Sequence, residues 1–295
     1  MDLPISEYDI AQAESYLAAG DLASATPLLE RLVELAEEYI DAECQSTDKR
    51  QYFSFADAFE RLAYRRVERD PRELVQVEAP FDRLYSALAF AYITQQDYVS
   101  AKNALSQAVR WNPMNCAYRL DLAELFRALG NMQEWAALSN SVLERASDAR
   151  FAARAYANLG AFFLESHNSL AASGCLRLAQ RFAPDDARVE ALAGRMAAER
   201  PEAAESSEEE ALAELADQGI DTNPSADMAI CLLMCASDAA QAGDRNEATR
   251  LTARARGLIG EEACRALVKL IRESDAELAE ERSAADGEEA SHAQP

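Results

Sequence analysis

Two segments of the chain carry the same residue pattern with identical internal spacing. The first reads Tyr85, Leu88, Ala89, Tyr92, Ala101, Leu105, Ala108 and Pro113. The second reads Tyr156, Leu159, Gly160, Phe163, Ala172, Leu176, Ala179 and Pro184. Self-similarity at a fixed spacing is the sequence signature of repeat architectures, in which each unit buries its apolar face against a neighbour. The pattern therefore predicts a stack of similar units.

The spacing within each copy is that of two helices joined by a turn. Large apolar residues at three- and four-residue steps lie on one face of a helix. A small residue, Ala89 or Gly160, stands where we expect the two helices to cross, because small side chains let the backbones approach. Pro113 and Pro184 end the second helix, since proline has no amide proton to donate. Each copy is predicted to be a helix–turn–helix unit.

The composition agrees with a helical chain. Hydrophobic residues make up 49% of the 295 residues, and the helix formers alanine and leucine supply much of that fraction. β-Branched residues, which favour strands, are sparse. The longest apolar run, residues 228–236, is roughly half as long as a membrane-spanning helix needs to be.

This pattern resembles the tetratricopeptide repeat, a helix–turn–helix unit of about 34 residues. The resemblance is strongest over residues 82–186 and weaker over 8–40 and 227–260. It implies an all-α fold, a right-handed superhelical solenoid of helix–turn–helix (tetratricopeptide-like) repeats. The layout is also similar to an uncharacterised group of bacterial tetratricopeptide repeat proteins, which adds an architecture and not an activity.

A degenerate copy lies between the two regular ones, at about residues 116–149. It departs from the pattern at Trp135, where a small residue is expected, and at Ser139, where a large apolar residue is expected. Ser147 replaces the terminal proline. We therefore expect a bulkier and locally distorted helix crossing in this unit.

Five regions follow from the pattern. They are an N-terminal helical region with one repeat-like hairpin (1–69), central repeats (82–200), an acidic linker with a short helix (201–225), a C-terminal hairpin with a capping helix (226–273) and a disordered acidic tail (274–295). Within the first region a helix is predicted over 51–68. The connection 70–81 is predicted to be partly extended through residues 74–77.

The chain is strongly acidic, with a formal net charge of -23 and a pI near 4.5. Acidic residues concentrate at the N-terminus, in residues 201–240 and in the tail, and the middle is almost neutral. Because nucleic-acid binding needs clustered Lys and Arg, no nucleic-acid partner is expected. No basic and then apolar leader follows Met1, so a cytoplasmic protein without a membrane partner is expected.

The sequence contains few candidates for catalytic or metal-binding residues. The six cysteines are predicted to be small buried side chains rather than a disulfide frame. Cys231 and Cys235 share a helix face, and half of a zinc site or a redox pair is the alternative to core packing. His167, in a predicted turn, and His292 have no partner at motif spacing. No cofactor, metal or enzymatic activity is expected, although an Asp/Glu pair formed only in three dimensions would overturn this.

The resemblance implies that the first helix of each unit lines a concave groove, which is the usual partner site of helical solenoids. Five residues are the predicted partner-binding set: Arg83, Phe90, Arg127, Arg154 and Asn158. Arginines grip carboxylates in a bidentate manner. The set therefore predicts a protein or peptide partner that is acidic and carries an apolar anchor. The alternative is that these are ordinary solvated helix residues.

The predicted function is that of a non-enzymatic interaction scaffold, which binds a partner protein or peptide in the groove. The alternative is a regulatory solenoid that senses a peptide or controls a transcription factor through another protein. A DNA-binding helix–turn–helix or an attached effector domain would favour the alternative, and the sequence contains neither.

Overall fold

The computed structural model describes residues 3–223, 225–274 and 277. These residues form two compact units. Unit 1 holds the described residues of 3–146 and 150–223, and unit 2 holds residues 147–149 and the described residues from 225 onward.

Helices dominate both units, and two short strands are present in unit 1. The first elements are α1 (Glu7–Ala18), α2 (Leu22–Glu43), β1 (Arg50–Phe53), α3 (Ala58–Glu68), β2 (Glu73–Gln76), α4 (Phe81–Thr94) and α5 (Tyr98–Trp111). They are followed by α6 (Cys116–Ala128), α7 (Met132–Leu143), α8 (Ala149–Glu165), α9 (Ser169–Phe182), α10 (Ala187–Glu199), α11 (Glu208–Asp217), α12 (Ala226–Gln241) and α13 (Arg245–Ile259). Residues 261–274 are also helical.

The same kind of turn closes five hairpins, α1/α2, α4/α5, α6/α7, α8/α9 and α12/α13. One residue in each turn has a positive φ: Gly20, Gln96, Gly130, His167 and Gly243. The next residue is always Asp or Asn and is the N-cap of the second helix: Asp21, Asp97, Asn131, Asn168 and Asp244. Four of these side chains accept a hydrogen bond from a free amide of the first helical turn, and the Asn131 side chain does not. The recurring turn confirms the all-α fold of helix–turn–helix repeats and places His167 in a turn as predicted.

The N-terminal hairpin packs directly on the first central hairpin. Ile10 and Leu29 are fully buried in one core with Tyr85 and Leu88. The Tyr92 hydroxyl donates a hydrogen bond to Glu30 of α2 at 2.9 Å. Hairpin α1/α2 therefore belongs to the same stack as the regular repeats. The second helix of this hairpin, α2, extends to Glu43.

The prediction of a helix over 51–68 is wrong for the first residues of this range. Residues 50–53 form β1, which pairs in parallel with β2 in the register Gln51 to Leu74. The helix begins only at Ala58, because Asp57 caps it by accepting a hydrogen bond from the Glu60 amide. Phe53 and Phe55 lie on the same side of the extended chain and stack with ring centroids 4.9 Å apart. The extended connection predicted over 74–77 is confirmed as β2.

The degenerate unit α6/α7 fills its crossing with an aromatic ring. Trp135 is fully buried, and its ring meets Phe162 of α8 edge-on with centroids 6.4 Å apart. Ser139 is also fully buried, and its hydroxyl accepts a hydrogen bond from Asn158 of α8 at 3.2 Å. A polar contact therefore replaces the apolar side chain that the repeat pattern expects at this position.

The short helix predicted within the acidic linker is confirmed as α11, but the segment 201–217 is packed on unit 1 rather than solvated on all sides. A 3-10 turn over Pro201–Glu205 leads into α11, which packs on α9. Ala211 and Leu215 are fully buried against Gly174, and Glu208 forms an ion pair with Arg181 at 2.6 Å. The acidic run has an apolar side at helical spacing, and that side attaches the segment to unit 1.

Unit 2 contains the hairpin α12/α13 and the helical residues 261–274. The predicted helix over 261–273 is confirmed. The tail predicted to be disordered lies outside the described residues, apart from positions 274 and 277. The right-handed superhelix stays a prediction.

Two glycines provide a matched test of helix crossing. A Cβ atom added to Gly174 would lie 2.7 Å from the Ala211 carbonyl oxygen, which is backbone and cannot rotate away, whereas one added to Gly194 of α10 meets nothing within 4 Å. We expect Gly174→Ala to lower the free energy of unfolding by about 1–3 kcal/mol through overpacking. Gly194→Ala should raise it by up to about 1 kcal/mol, because alanine is the better helix former. Urea unfolding followed by circular dichroism measures both, and equal effects would contradict the close approach.

Candidate functional site

The candidate site is the first-helix face of unit 1, which is the surface formed by α1, α4, α6, α8 and α10. Arg83 lies on α4 and is held by two carboxylates of α1. Its guanidinium group pairs with Glu7, and with Glu14 at 2.8 Å. Glu7 and Glu14 are two helical turns apart and share one side of α1. The hydrogen bonding that Arg83 donates to the Glu14 carboxylate is the main reason that the pKa of Arg83 is raised. Arg83 therefore ties α1 to α4.

Arg154 and Arg127 form two ion pairs between α6 and α8. The arginine lies on α8 in the first pair and on α6 in the second. Nη2 of Arg154 lies 2.8 Å from Oδ1 of Asp121 on α6. Nη2 of Arg127 lies 3.9 Å from Oε1 of Glu165 on α8. Glu165 also lies 3.6 Å from Nη1 of Arg195 on α10. Ion pairs therefore connect three successive first helices.

The predicted arginines are thus already engaged within the chain. Sequence reasoning did not predict their ion pairs with Glu7, Glu14, Asp121 and Glu165, or the second arginine on Glu165, which is Arg195. Acidic residues on neighbouring first helices were visible in the sequence. Which carboxylate meets which arginine depends on the offset between packed helices, and one sequence does not contain that offset. The first-helix face presents balanced charges rather than a row of free cations.

Phe90 is the predicted site residue that is most available to a partner. It lies on α4, seven residues after Arg83, and it is 54% exposed. The helical spacing places both residues on the same side of α4. Exposure of a large aromatic side chain to water is unfavourable, and a partner that buries the side chain lowers the free energy.

Asn158 is a packing residue, and its place in the predicted set needs correction. Its side chain is only 5% exposed and donates a hydrogen bond to Ser139 of α7. Asp121, at the corresponding position of the preceding unit, remains largely exposed. The difference arises because Ser139 leaves a polar partner inside the core that only Asn158 reaches.

The two arginines on α6 and α8 differ in burial, which gives a stability prediction. The Arg154 side chain is 15% exposed and its Nε has no hydrogen-bond partner, whereas the Arg127 side chain is 43% exposed. Arg154→Glu would set two carboxylates against each other in a partly buried place. We expect it to lower the free energy of unfolding by about 3 kcal/mol or more. Arg127→Glu should cost about 1 kcal/mol or less.

Thermal and urea unfolding of the two variants measure this difference. An equal loss in both would contradict the buried role of Arg154. The expected difference also means that charge reversal at Arg154 changes folding as well as binding, so this residue is a poor probe of partner contact.

A second polar cluster lies inside unit 1, beneath α3. Glu60 of α3 and Asp82 of α4 both accept hydrogen bonds from the Nδ2 group of Asn112, at 2.8 and 3.1 Å. Burial raises the pKa of Glu60 to about 7, with smaller contributions from the charges of Asp57 and Asp82. Burial likewise raises the pKa of Asp82. One buried amide therefore bridges two carboxyl groups that resist ionisation.

Glu60 makes the stability of the chain depend on pH in an unusual direction. Its pKa is raised in the folded state, so its stabilising contribution is complete below the unfolded value near 4.5 and is lost as the pH rises through about 7. We expect Glu60→Gln to flatten the change of stability between pH 5 and 8. The exposed Glu190→Gln is the matched control and should leave it unchanged. Unfolding midpoints across this range measure the effect, and identical profiles for Glu60→Gln and the unmodified chain would contradict it.

The remaining candidates from the sequence carry little chemistry. None of the six cysteines forms a disulfide bond; Cys231 is buried and Cys235 is half-buried. Burial raises the pKa of Cys44, Cys175 and Cys264, which makes those thiols poor nucleophiles. Within the described part of the chain, no three His, Cys, Asp or Glu side chains are grouped to hold a metal ion. No described helix is long and apolar enough to cross a membrane.

Comparison with known proteins gives structural similarities alone. No family model matches the sequence, and no curated protein matches it. PilF from Pseudomonas aeruginosa is a similar solved structure, with a TM-score of 0.46 and 14% identity over 91% of this chain and 96% of that one. A tetratricopeptide repeat protein from Parabacteroides merdae has a TM-score of 0.42 and 14% identity over 90% and 97% of the two chains.

The tetratricopeptide domain of P58(IPK) is also similar, with a TM-score of 0.32 and 15% identity over 92% of this chain and 80% of that one. Since all three scores are below 0.5, they support no statement about activity or partners.

Proposed function

We propose that this chain is a non-enzymatic scaffold that binds a protein or peptide segment on the first-helix face of unit 1, with Phe90 as the anchor point. The observation that carries the proposal is the exposure of Phe90, 54%, on the same side of α4 as Arg83. Large aromatic side chains are enriched among the residues that dominate binding energy at protein interfaces. The proposal keeps the cytoplasm as the compartment.

The ion pairs of this face favour a preorganised surface. Arg83 fixes α1 against α4, and Arg127 and Arg154 fix α6 against α8. Side chains that are already held in place lose less conformational entropy when a partner binds. A binding face built from rigid helices therefore requires little rearrangement.

The partner that fits this face differs from the one that the sequence predicts. An acidic segment would compete with Glu14 for Arg83 and with Asp121 for Arg154, because both arginines already have carboxylate partners. We therefore propose a partner that offers an apolar side chain to Phe90 and mixed or no net charge around it. The regulatory alternative differs only in the identity of the bound partner.

Acid–base chemistry at Glu60 and Asp82 is the enzymatic alternative, and their burial argues against it. Asp82 is 5% exposed and Asn112, which bridges the two carboxyl groups, is fully buried. A substrate that bridged the two carboxyl groups would have to displace the Asn112 amide, which donates a hydrogen bond to each of them. We assign this pair a structural role.

The test is quantitative crosslinking and capture from native cytoplasm with three chains: unmodified, Phe90→Asp and Val99→Asp. Val99 is the matched control, since it is 57% exposed but lies on α5, the second helix of the same hairpin. We expect at least one captured protein to be lost about 30-fold or more with Phe90→Asp and retained with Val99→Asp. Loss of about 2 kcal/mol at an anchor residue corresponds to this factor.

Circular dichroism of both variants checks that the helices remain folded. Equal capture by Phe90→Asp and the unmodified chain would show that the face is not the partner site. Equal loss with both variants would point to a general effect of an added charge on this hairpin, and would also contradict the proposal.

A further inference from the structure

Unit 2 contains an open groove that is independent of the first-helix face. Two adjoining cavities of about 340 Å³ and 600 Å³ lie along α12, α13 and the helical residues 261–274. Thr252, Arg256, Val268 and Arg272 line both cavities. We call this surface the basic groove.

The floor of the basic groove is apolar and incompletely covered. Leu233 and Ala236 of α12 face Val268 and Ile271 across the smaller cavity. Val268 and Ile271 are only half-buried, and Leu270 of the same helix is 59% exposed. An amphipathic helix in a stack normally buries its apolar stripe, and the last unit of a stack needs a polar outer face. The groove therefore retains apolar surface for an occupant.

The rim of the basic groove is rich in positive charge in an otherwise acidic chain. Arg256, Arg265, Lys269 and Arg272 line the larger cavity with only two carboxylates, Glu261 and Glu273. Glu261 lies 3.5 Å from Arg256 and 3.3 Å from Arg265, so it is shared, and Glu273 lies 3.6 Å from Lys269. Within the part of the chain that the structure describes, no ion pair involves Arg272. The groove therefore favours an anionic occupant.

The chain itself supplies a segment of the opposite charge, which follows the residues of this groove in the sequence. Residues 278–295 follow the helix that lines it, and they begin with Leu278. The segment carries one arginine, Arg282, and five acidic residues: Glu280, Glu281, Asp286, Glu288 and Glu289. Tethering of this kind gives an effective concentration in the millimolar range.

The length of the segment allows it to return along the whole groove. The helical residues 261–274 span about 21 Å at 1.5 Å per residue. An extended chain covers roughly 3.3 Å per residue, so about seven residues cover the same distance. The segment of 18 residues is therefore long enough for a turn and a return path.

We propose that the acidic C-terminal segment, residues 278–295, docks in cis in the basic groove of unit 2. Its carboxylates pair with Arg256, Arg272 and Lys269, and Leu278 or the following alanines cover the apolar floor.

Zero-length carbodiimide crosslinking of the full chain tests this docking, because it joins a lysine to a carboxylate in direct contact. The chain has three lysines, Lys49, Lys102 and Lys269, and only the last lines the groove. Mass spectrometry should find links from Lys269 to Glu280 or later acidic residues. The link between Lys269 and Glu273, 3.6 Å apart, is the internal standard for the same lysine.

The double variant Arg256→Glu/Arg272→Glu should lower the ratio of tail links to the internal standard by at least about threefold, since like charges repel. Sodium chloride at 0.5 M should lower it as well, because salt screens exposed pairs. Arg245→Glu is the matched control, as Arg245 lies on α13 but lines neither cavity. It should leave the ratio unchanged. Persistence of the internal standard shows that the helix still forms.

Three results would overturn the proposal. The tail links could be absent while the internal standard forms, which means that the groove is not occupied by this segment. They could be equally frequent in the double variant, which means that they reflect only tethering. They could occur only between two copies of the chain, which would make a second copy the occupant.

Discussion

Close backbone approach between helices is the constraint on which the rest of the structure depends. A Cβ atom added to Gly160 of α8 would lie 3.1 Å from the Cβ of Cys175. One added to Gly174 of α9 would lie similarly close to the Ala211 carbonyl oxygen. These positions set the distances from α8 to α9 and from α9 to α11. In the same way, the packing of the first helices on one another places the arginines and carboxylates of the first-helix face within reach of one another. The electrostatics of the face are therefore a consequence of its packing.

The ion pairs of the first-helix face are exposed to different degrees, and their roles differ accordingly. Arg127 and Arg195 share Glu165 at distances near 4 Å in largely solvated surroundings, where an ion pair contributes little to stability. Arg154 is mostly buried and depends on Asp121 for compensation of its charge. Phe90 has no such internal role, which makes it the side chain whose exposure a binding function explains best.

The repeated hairpins could be predicted from the sequence because their determinants are local. Apolar spacing, small residues at the crossings, and proline or glycine at the ends are properties of a few neighbouring residues. The start of α3 could not be predicted from the sequence, because β1 forms only by pairing with β2 some twenty residues later. The burial of Asn158 could not be predicted either, because it depends on Ser139 in another helix. The acidic run at 208–210 suggested a linker because its charge is visible in the sequence, while the contact of Ala211 and Leu215 with α9 is not.

The segment β1–α3–β2 changes how the stack responds to unfolding. In a simple solenoid each unit contacts only its neighbours, and stability is a sum of unit and interface terms. Here α3 contacts two successive hairpins at once, since Glu60 bonds to Asn112 at the end of α5 and Glu68 pairs with Arg145 at the end of α7. A helix that bridges two units couples them beyond the nearest neighbour. Hairpins α4/α5 and α6/α7 therefore act as a single cooperative block, and stepwise fraying of the stack is confined to the elements outside it, which are hairpin α1/α2 on one side and the elements beyond α7 on the other.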